Sequence, residues 1–254
     1  MIIVRKIRIP ALPTEKPRRL YIYLPKDYEA SERRYPVLYM FDGHNVFYNS
    51  HATYGKSWGM KEYLQKTKLP LILVGVECNP EGNRRLSEYS PWDFDRRQTG
   101  FIEGRGKETM DWIAKTLKPA IDEEFRTLPD RDHTMLAGSS MGGLMTVWAM
   151  IAYNDVFSRG AALSPCLFLH PRQMAALIRE KMPLAQPTRV YMDYGSAEWG
   201  GRCAGHWAEM FRTAAGLSRA GAHTAARVVP GAVHNEAAWE KRIPVFMDYL
   251  CPKD

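Results

Sequence analysis

Cysteine is scarce in this sequence, and its four residues are widely separated. The chain has 254 residues, and Cys78, Cys166, Cys203 and Cys251 form no C-x-x-C pair. This spacing argues against a zinc knuckle and against a thioredoxin-type redox site. Reduced thiols in a cytoplasmic protein are the simplest interpretation, so we expect no disulfide scaffold.

Targeting and cofactor signals are also lacking. The N-terminal stretch MIIVRKIRIP places its apolar residues before the basic ones and has no apolar run of signal-peptide length. Export is therefore disfavoured. No cluster of residues has metal-ligand spacing, and neither a G-x-G-x-x-G motif nor a P-loop is present. We therefore predict neither a metal nor a cofactor.

One uncharged stretch, residues 134–154, has the length of a transmembrane helix. Its first half contains GSSMGG. This cluster of glycine and serine would be a poor helix interior, whereas it suits a turn between a short strand and a buried helix. We therefore predict no membrane segment.

Basic residues are concentrated near the N-terminus. Residues 1–34 contain nine Lys or Arg and four Asp or Glu, which accounts for +5 of the net charge of +7. The basic pairs are Arg18-Arg19, Arg33-Arg34, Arg84-Arg85 and Arg96-Arg97. No nucleic-acid-binding motif accompanies them. A solvated basic face is therefore favoured, with no nucleic-acid partner.

Strand-like and helix-like segments alternate along the chain. Residues 2–10 and 18–24 are rich in β-branched and aromatic residues, which predicts an antiparallel strand pair. The apolar runs PVLYMF and LILVGV predict strands buried on both faces of a parallel sheet. The other predicted strands lie near residues 133–137, 159–163, 188–194 and 224–229, and helices lie near residues 60–66, 108–125, 142–153, 172–181, 204–219 and 236–249. The helix over residues 108–125 is expected to be disturbed near Pro119.

This alternation predicts an α/β fold with a mostly parallel, doubly wound sheet and helices on both faces. No internal repeat or Pro/Gly/Ser linker divides the sequence, so we expect residues 1–254 to form a single domain. Two long irregular stretches, Asp42–Gly59 and Glu77–Gly106, follow predicted strands and are rich in aromatic residues. Loops in such positions are where functional sites are usually built.

A nucleophile is predicted at Ser140. The segment Gly138-Ser139-Ser140-Met141-Gly142 matches G-x-S-x-G, in which a serine occupies a strained turn between small residues. The strand HTMLA precedes this motif and the helix GLMTVWAMIAY follows it. This order of strand, turn and helix is the context that the motif requires, and it favours a nucleophile over a structural glycine-rich turn.

A serine hydroxyl needs a general base, and His234 is the predicted one. The histidines after Ser140 are His170, His206, His223 and His234. The first comes too early in the order, and the next two fall in a predicted helix and at the start of a predicted strand. His234 lies in the loop just beyond the last predicted strand, where a base would meet Ser140.

The acid of the triad is predicted less directly. The strand RVYMDY is followed by Gly195-Ser196-Ala197-Glu198, which places Glu198 in the loop past the strand. Asp193 is still within the strand, where a carboxylate satisfied by backbone groups is an alternative explanation. Loop placement favours Glu198, with Asp193 as the alternative.

An oxyanion hole needs two backbone N–H donors directed at the developing negative charge. The residue after the nucleophile, Met141, is expected to supply the first. The second is expected from the loop after an early strand, Asp42-Gly43-His44-Asn45, and we select His44 because it follows the glycine.

Together these residues resemble the Putative esterase family of α/β-hydrolases, which includes esterase D, feruloyl esterases, enterochelin-type siderophore esterases and the antigen 85 mycolyltransferases. The segments that carry the resemblance are YPVLYMFDGHNVF, NRRLSEYSPW, FRTLPDRDHTMLAGSSMGGL, AALSPCLF, MDYGSAEW and GAVHNEAAW. The resemblance implies an α/β-hydrolase fold, a triad of Ser140, Glu198 and His234, and an oxyanion hole at His44 and Met141. Many relatives carry glutamine in place of His44, so the resemblance implies only a backbone role for that residue.

The leading hypothesis is a serine carboxylesterase that hydrolyses small or aryl esters through an acyl-serine intermediate. The aromatic-rich loops suit a planar acyl or alcohol group. The pairs Arg84-Arg85 and Arg96-Arg97 would favour an anionic substrate such as a catecholate siderophore, unless NRRLSEY pairs Arg with Glu internally. The alternatives are acyl transfer of the antigen 85 type and a non-catalytic binding protein that keeps the fold.

Overall fold

The computed structural model of the protein describes residues 1–12 and 16–252. These residues form two compact units, Met1–Met135 and Leu136–Asp254. Within the described ranges, no helix combines the length and the apolar character needed to cross a bilayer.

The first unit contains an antiparallel strand pair followed by mixed strands and helices. Its strands are β1 (Ile2–Ile7), β2 (Arg18–Tyr23), β3 (Val37–Met40), β4 (Ile72–Val76), β5 (Phe94–Arg96) and β6 (Gly100–Ile102), and its helices are α1 (Met60–Thr67), α2 (Arg84–Glu88), α3 (Gly106–Trp112) and α4 (Lys118–Glu124). Strand β1 pairs antiparallel with β2, β2 antiparallel with β4, and β4 parallel with β3. The predicted N-terminal antiparallel pair is therefore confirmed.

The second unit has the alternating order that the sequence predicts. Strand β7 (Thr134–Ser139) leads into it, and its other elements are α5 (Met141–Ala152), β8 (Arg159–Leu163), α6 (Pro171–Lys181), β9 (Arg189–Gly195), α7 (Ala204–Arg219), β10 (His223–Val229), α8 (Glu236–Glu240) and α9 (Ile243–Leu250). The strand order is β7-β8-β9-β10, and β9 runs parallel to both β8 and β10.

The parallel register places the ends of these strands together. Leu163 of β8 pairs with Asp193 of β9, and Gly195 of β9 pairs with Val229 of β10. Parallel strands have their carboxyl ends at the same edge of a sheet, and ligand sites of α/β folds are found at that edge. Residues that follow β8, β9 and β10 are therefore delivered to one place.

Burial follows the predicted pattern of buried runs. Every residue of β3 and β4 is buried, as predicted from PVLYMF and LILVGV, and every residue of β7 is buried as well. Every residue of β1 is exposed or partly exposed. Helix α5 is buried at all but its last residue, because its sequence is apolar on every side.

Two of the predicted helices are interrupted in the structure, one at the disturbance expected near Pro119 and one where no break is predicted. The predicted helix over residues 108–125 contains a π-helical turn at Ile113–Leu117, just before Pro119. Proline has no N–H and its ring crowds the carbonyl four residues earlier, so the local widening accommodates it. The predicted helix near residues 236–249 is wrong as a single element, because α8 ends at Glu240 and α9 begins at Ile243 with Pro244 in its first turn.

Candidate active site

Ser140 occupies a sharp turn between β7 and α5. Its φ of 58° and ψ of −118° lie in a region that residues other than glycine seldom adopt. The glycines around it are required sterically, because a Cβ atom on Gly138 would lie 2.7 Å from the carbonyl group of Gly142. The strand and helix backbones therefore approach closely and hold Ser140 in a strained conformation, as in a nucleophile elbow.

The hydroxyl of Ser140 faces a thiol. Ser140 Oγ lies 3.5 Å from Cys166 Sγ, within the range of a weak hydrogen bond to sulfur. Among the described residues it makes no hydrogen bond with His234. Rotation about the side-chain χ1 angle changes the direction of the hydroxyl without moving the backbone. Catalytic hydrogen bonds are often long or misaligned in structures without substrate.

The structure brings Glu198 and His234 together. Glu198 is in a 3₁₀ turn that follows β9, and His234 is in the loop that follows β10. Glu198 Oε2 lies 2.7 Å from His234 Nδ1, and the side chain of His234 is 20% exposed whereas that of Glu198 is buried. A carboxylate in this position favours the tautomer with a proton on Nδ1, which leaves Nε2 able to accept a proton.

The surroundings of Glu198 keep it ionised. Burial alone would raise the pKa of its carboxyl, but hydrogen bonds from His234 and Ser164 outweigh burial and leave the pKa below its ordinary value. The second oxygen, Oε1, accepts hydrogen bonds from the Ser164 hydroxyl at 2.5 Å and the Gly195 backbone N–H at 2.7 Å. A negatively charged partner for His234 is therefore built into the turn.

The carboxylate of Asp193 accepts hydrogen bonds from residues other than His234. Its Oδ1 accepts a hydrogen bond from Arg242 at 2.8 Å and its Oδ2 accepts one from Tyr191 at 2.7 Å. Burial raises the pKa of this carboxyl, although Arg242 opposes the shift. Among the described residues, Asp193 makes no hydrogen bond with His234. The structure thus places Glu198, rather than Asp193, against the imidazole.

Met141 is the first residue of α5. The first N–H groups of a helix have no partner within the helix, and the helix dipole makes this end partly positive. The N–H of Met141 therefore belongs to an end of the helix that is suited to an oxyanion.

His44 lies in the first unit, in a 3₁₀ turn at Gly43–Asn45 that follows β3. Its Nε2 lies 2.9 Å from Thr53 Oγ1. Its Nδ1 is buried and has no hydrogen-bond partner among the described residues. Burial lowers the pKa of His44 below its ordinary value, so this histidine is neutral at pH 7.

Asp42, His44 and Cys78 form a buried cluster that the sequence spacing did not indicate. Their possible ligand atoms all lie within 4.8 Å of one another. However, Arg85 donates hydrogen bonds to both carboxylate oxygens of Asp42, each at 2.7 Å. A guanidinium in this position repels a metal cation and occupies one of the three donors, so the cluster is better explained by the ion pair of Asp42 with partly exposed Arg85.

The structure shows how Arg85 of the NRRLSEY segment is paired. This arginine is paired internally, although with Asp42 rather than with the nearby Glu88. Glu88 instead forms a buried ion pair with Arg18 of β2. Arg85 is therefore engaged by Asp42 through two hydrogen bonds, while its side chain is 29% exposed.

Sequence reasoning missed Ser164. This residue follows β8 in the AALSPCLF segment and has a φ of 50°. Its hydroxyl accepts hydrogen bonds from Trp239 Nε1 at 3.0 Å and from Arg242 at 3.3 Å, while it donates to Glu198. The available signal was its position, a polar residue at the carboxyl end of a predicted parallel strand.

This chain matches a family model over nearly its whole length. The family model described as "Putative esterase" matches residues 13–248. The protein YbbA of Bacillus subtilis (strain 168) is 28% identical over 184 residues, which cover 71% of this chain and 69% of YbbA.

Solved structures show the same fold. A serine hydrolase from Shewanella oneidensis described as IroE-like has a TM-score of 0.76 and 21% identity, over 98% of this chain and 79% of the other. The ferulic acid esterase AmCE1/Fae1A of Anaeromyces mucronatus has a TM-score of 0.66 and 17% identity, over 98% and 90%. These similarities confirm the predicted α/β-hydrolase fold. Given the extent of the family match, this chain belongs to the Putative esterase family of α/β-hydrolases.

Proposed function

We propose that this protein is a serine carboxylesterase that hydrolyses small or aryl carboxylic esters. The observation that carries the proposal is the 2.7 Å contact between Glu198 Oε2 and His234 Nδ1, in the same unit as the strained turn at Ser140. Strand-end loops supply both members of this pair, and the acid is held by two further donors. Such an arrangement activates a serine hydroxyl.

The reaction begins when the Ser140 hydroxyl turns from Cys166 towards His234. Its oxygen attacks the ester carbonyl carbon, and His234 Nε2 takes the hydroxyl proton. The tetrahedral intermediate collapses as His234 returns this proton to the departing alcohol, which leaves an acyl group on Ser140. Water, deprotonated by His234, then attacks the acyl carbon, and His234 returns this proton to Ser140 Oγ as the bond to the acyl group breaks and the carboxylic acid is released. Glu198 stabilises the imidazolium that forms in each half of the reaction.

The negative charge on the carbonyl oxygen needs two donors. The N–H of Met141 is the first, because it belongs to the unpaired first turn of α5. The backbone N–H of His44 is proposed as the second on the basis of the sequence and the family resemblance. No metal or cofactor takes part in the proposed reaction.

An aryl substrate is supported by the aromatic character of the site and by a relative. The exposed ring of Trp199 lies with its centroid 5.0 Å from that of His234. A ferulic acid esterase is among the proteins with the same fold. We therefore propose that a planar group is accepted next to the reacting ester bond.

The test is hydrolysis of p-nitrophenyl esters of increasing acyl length, with free acid measured as the product. Wild-type protein is expected to turn over and Ser140→Ala to fall to the background rate. Ser218→Ala is the matched control, because Ser218 is an exposed serine of α7. A fluorophosphonate probe should label wild type and Ser218→Ala but not Ser140→Ala. Equal hydrolysis by wild type and Ser140→Ala would refute the proposal.

A further inference from the structure

Trp199 is the most exposed large apolar side chain among the described residues of the second unit, at 53%. It directly follows Glu198 and has a φ of 52° and a ψ of 34°. Bulky residues rarely adopt this left-handed conformation, and an exposed indole forgoes burial of its apolar surface. Both features act against a purely structural role, and backbone outliers of this kind are concentrated at active sites and ligand clamps.

Hydrogen bonds and ring stacking hold the exposed indole of Trp199 in place. Trp199 Nε1 donates a hydrogen bond to the Tyr194 hydroxyl at 3.0 Å, and this hydroxyl lies 3.1 Å from His206 Nδ1. The ring of His206 is stacked on Phe168, with 4.0 Å between centroids. A ring fixed in this way loses little conformational freedom when a ligand binds to it.

The position of Trp199 indicates which part of an ester would reach it. Its ring centroid is 5.0 Å from that of His234, with an angle of 40° between the two planes. In serine ester hydrolysis the imidazole returns its proton to the oxygen of the departing alcohol. The alcohol part of the ester therefore lies beside His234, which is the side on which Trp199 stands.

We infer that Trp199 forms a subsite for a planar aromatic ring on the alcohol side of the ester. This inference rests on the proposed esterase function and deepens it, because it distinguishes the alcohol side from the acyl side. A planar ring stacks on the indole face, whereas a puckered ring of the same size does not make the same contact. Trp199 is thus a specificity-determining residue.

The test compares benzyl acetate with cyclohexylmethyl acetate. The two esters share the acyl group and differ in whether the ring of the alcohol is planar. Wild type is expected to favour benzyl acetate in kcat/KM, and Trp199→Ala to reduce this preference by about 2- to 12-fold, the range measured for an aromatic pair. Because both rates are measured on the same protein, general damage to the enzyme cancels in their ratio. Trp199→Phe should retain part of the preference.

Phe211→Ala is the matched control, since Phe211 is an exposed aromatic residue of α7, at 45%, and should keep the wild-type ratio. An unchanged ratio of kcat/KM values in Trp199→Ala would overturn the inference. It would also be overturned if Trp199→Ala changed the preference between methyl benzoate and methyl cyclohexanecarboxylate instead, because these esters differ in the acyl group. If wild type hydrolyses p-nitrophenyl acetate but Trp199→Ala keeps the wild-type ratio of kcat/KM values, the inference about Trp199 is overturned and the proposed esterase function stands. Failure of wild type to hydrolyse any of these esters would overturn the proposed function as well.

Discussion

The hydroxyl of Ser164 donates a 2.5 Å hydrogen bond to Oε1 of Glu198, on the opposite side of the carboxylate from His234. Ser164 is itself fixed by Trp239 and Arg242, which donate to its oxygen. The carboxylate is therefore oriented from behind by a residue that touches neither the base nor the nucleophile among the described contacts. We regard Ser164 as a positioning residue.

Removal of the Ser164 hydroxyl should lower kcat by about tenfold with little change in KM, because a charge-assisted hydrogen bond to the triad acid is lost. Two variants separate positioning from folding. Ser164→Gly accommodates the φ of 50° and should be more stable than Ser164→Ala. Equal losses of kcat in both would support positioning, whereas losses that follow stability would contradict it.

The same hydroxyl is one reason for the lowered pKa of Glu198. Without it the pKa of this carboxyl should rise, so activity should begin to fall at a higher pH on acidification than in wild type. The pH profile of kcat for wild type and Ser164→Gly measures this shift. A low-pH limb that does not move would show that the hydroxyl does not act through Glu198.

Glu198→Gln and Asp193→Asn should fail in different ways. Glu198→Gln removes the charge that holds the His234 tautomer, so kcat should fall about 10³- to 10⁴-fold. Asp193→Asn removes the carboxylate that accepts the hydrogen bond of buried Arg242 and leaves it the longer 3.7 Å ion pair with Glu198, which should lower the free energy of unfolding by about 3 kcal/mol. Urea denaturation measures the free energy of unfolding of each variant, and hydrolysis assays measure kcat per molecule that the fluorophosphonate probe labels. The reverse pattern would identify Asp193 as the triad acid.

Most of the fold could be predicted from the sequence, because the strand and helix signals of the second unit are strong and local. Glu198 and His234 could be chosen because parallel strands end at one edge, and the loop after each strand is visible in the sequence. The contacts of Ser164 and the exposure of Trp199 could not be predicted. They depend on three-dimensional packing and on left-handed backbone conformations at residues other than glycine, which leave no periodic signal.

Buried His44 should make the stability of the protein depend on pH. Its pKa is lowered in the folded state, mainly by burial, from a value of 6.5. The unfolded chain therefore binds more protons as the pH falls below about 6.5, so the free energy of unfolding should fall with a slope approaching 1.4 kcal/mol per pH unit. This slope should be confined to pH values between the folded pKa and about 6.5.

His44→Gln removes the titrating group and retains a side chain able to reach Thr53. The difference in unfolding free energy between wild type and His44→Gln should therefore shrink or reverse in favour of the variant as the pH is lowered from 7 to 5. Urea titrations at several pH values measure it. Parallel pH dependences would mean that His44 is protonated as readily in the folded protein as in the unfolded chain.

Gly43 should tolerate no side chain. A Cβ atom at this position would lie 2.4 Å from the carbonyl carbon of Gly75 in β4, and the backbone of a buried strand cannot yield cheaply. We expect Gly43→Ala to lower the free energy of unfolding by about 3 kcal/mol.

Gly205→Ala is the matched control, because no atom lies within 4 Å of its would-be Cβ and its position in α7 favours alanine. Thermal and urea denaturation should leave Gly205→Ala as stable as wild type or more so. Gly43→Ala should also reduce activity beyond its loss of stability, since the displaced turn carries the N–H of His44 that we propose as an oxyanion donor. A destabilised Gly43→Ala with full kcat would argue that this turn has no part in the reaction.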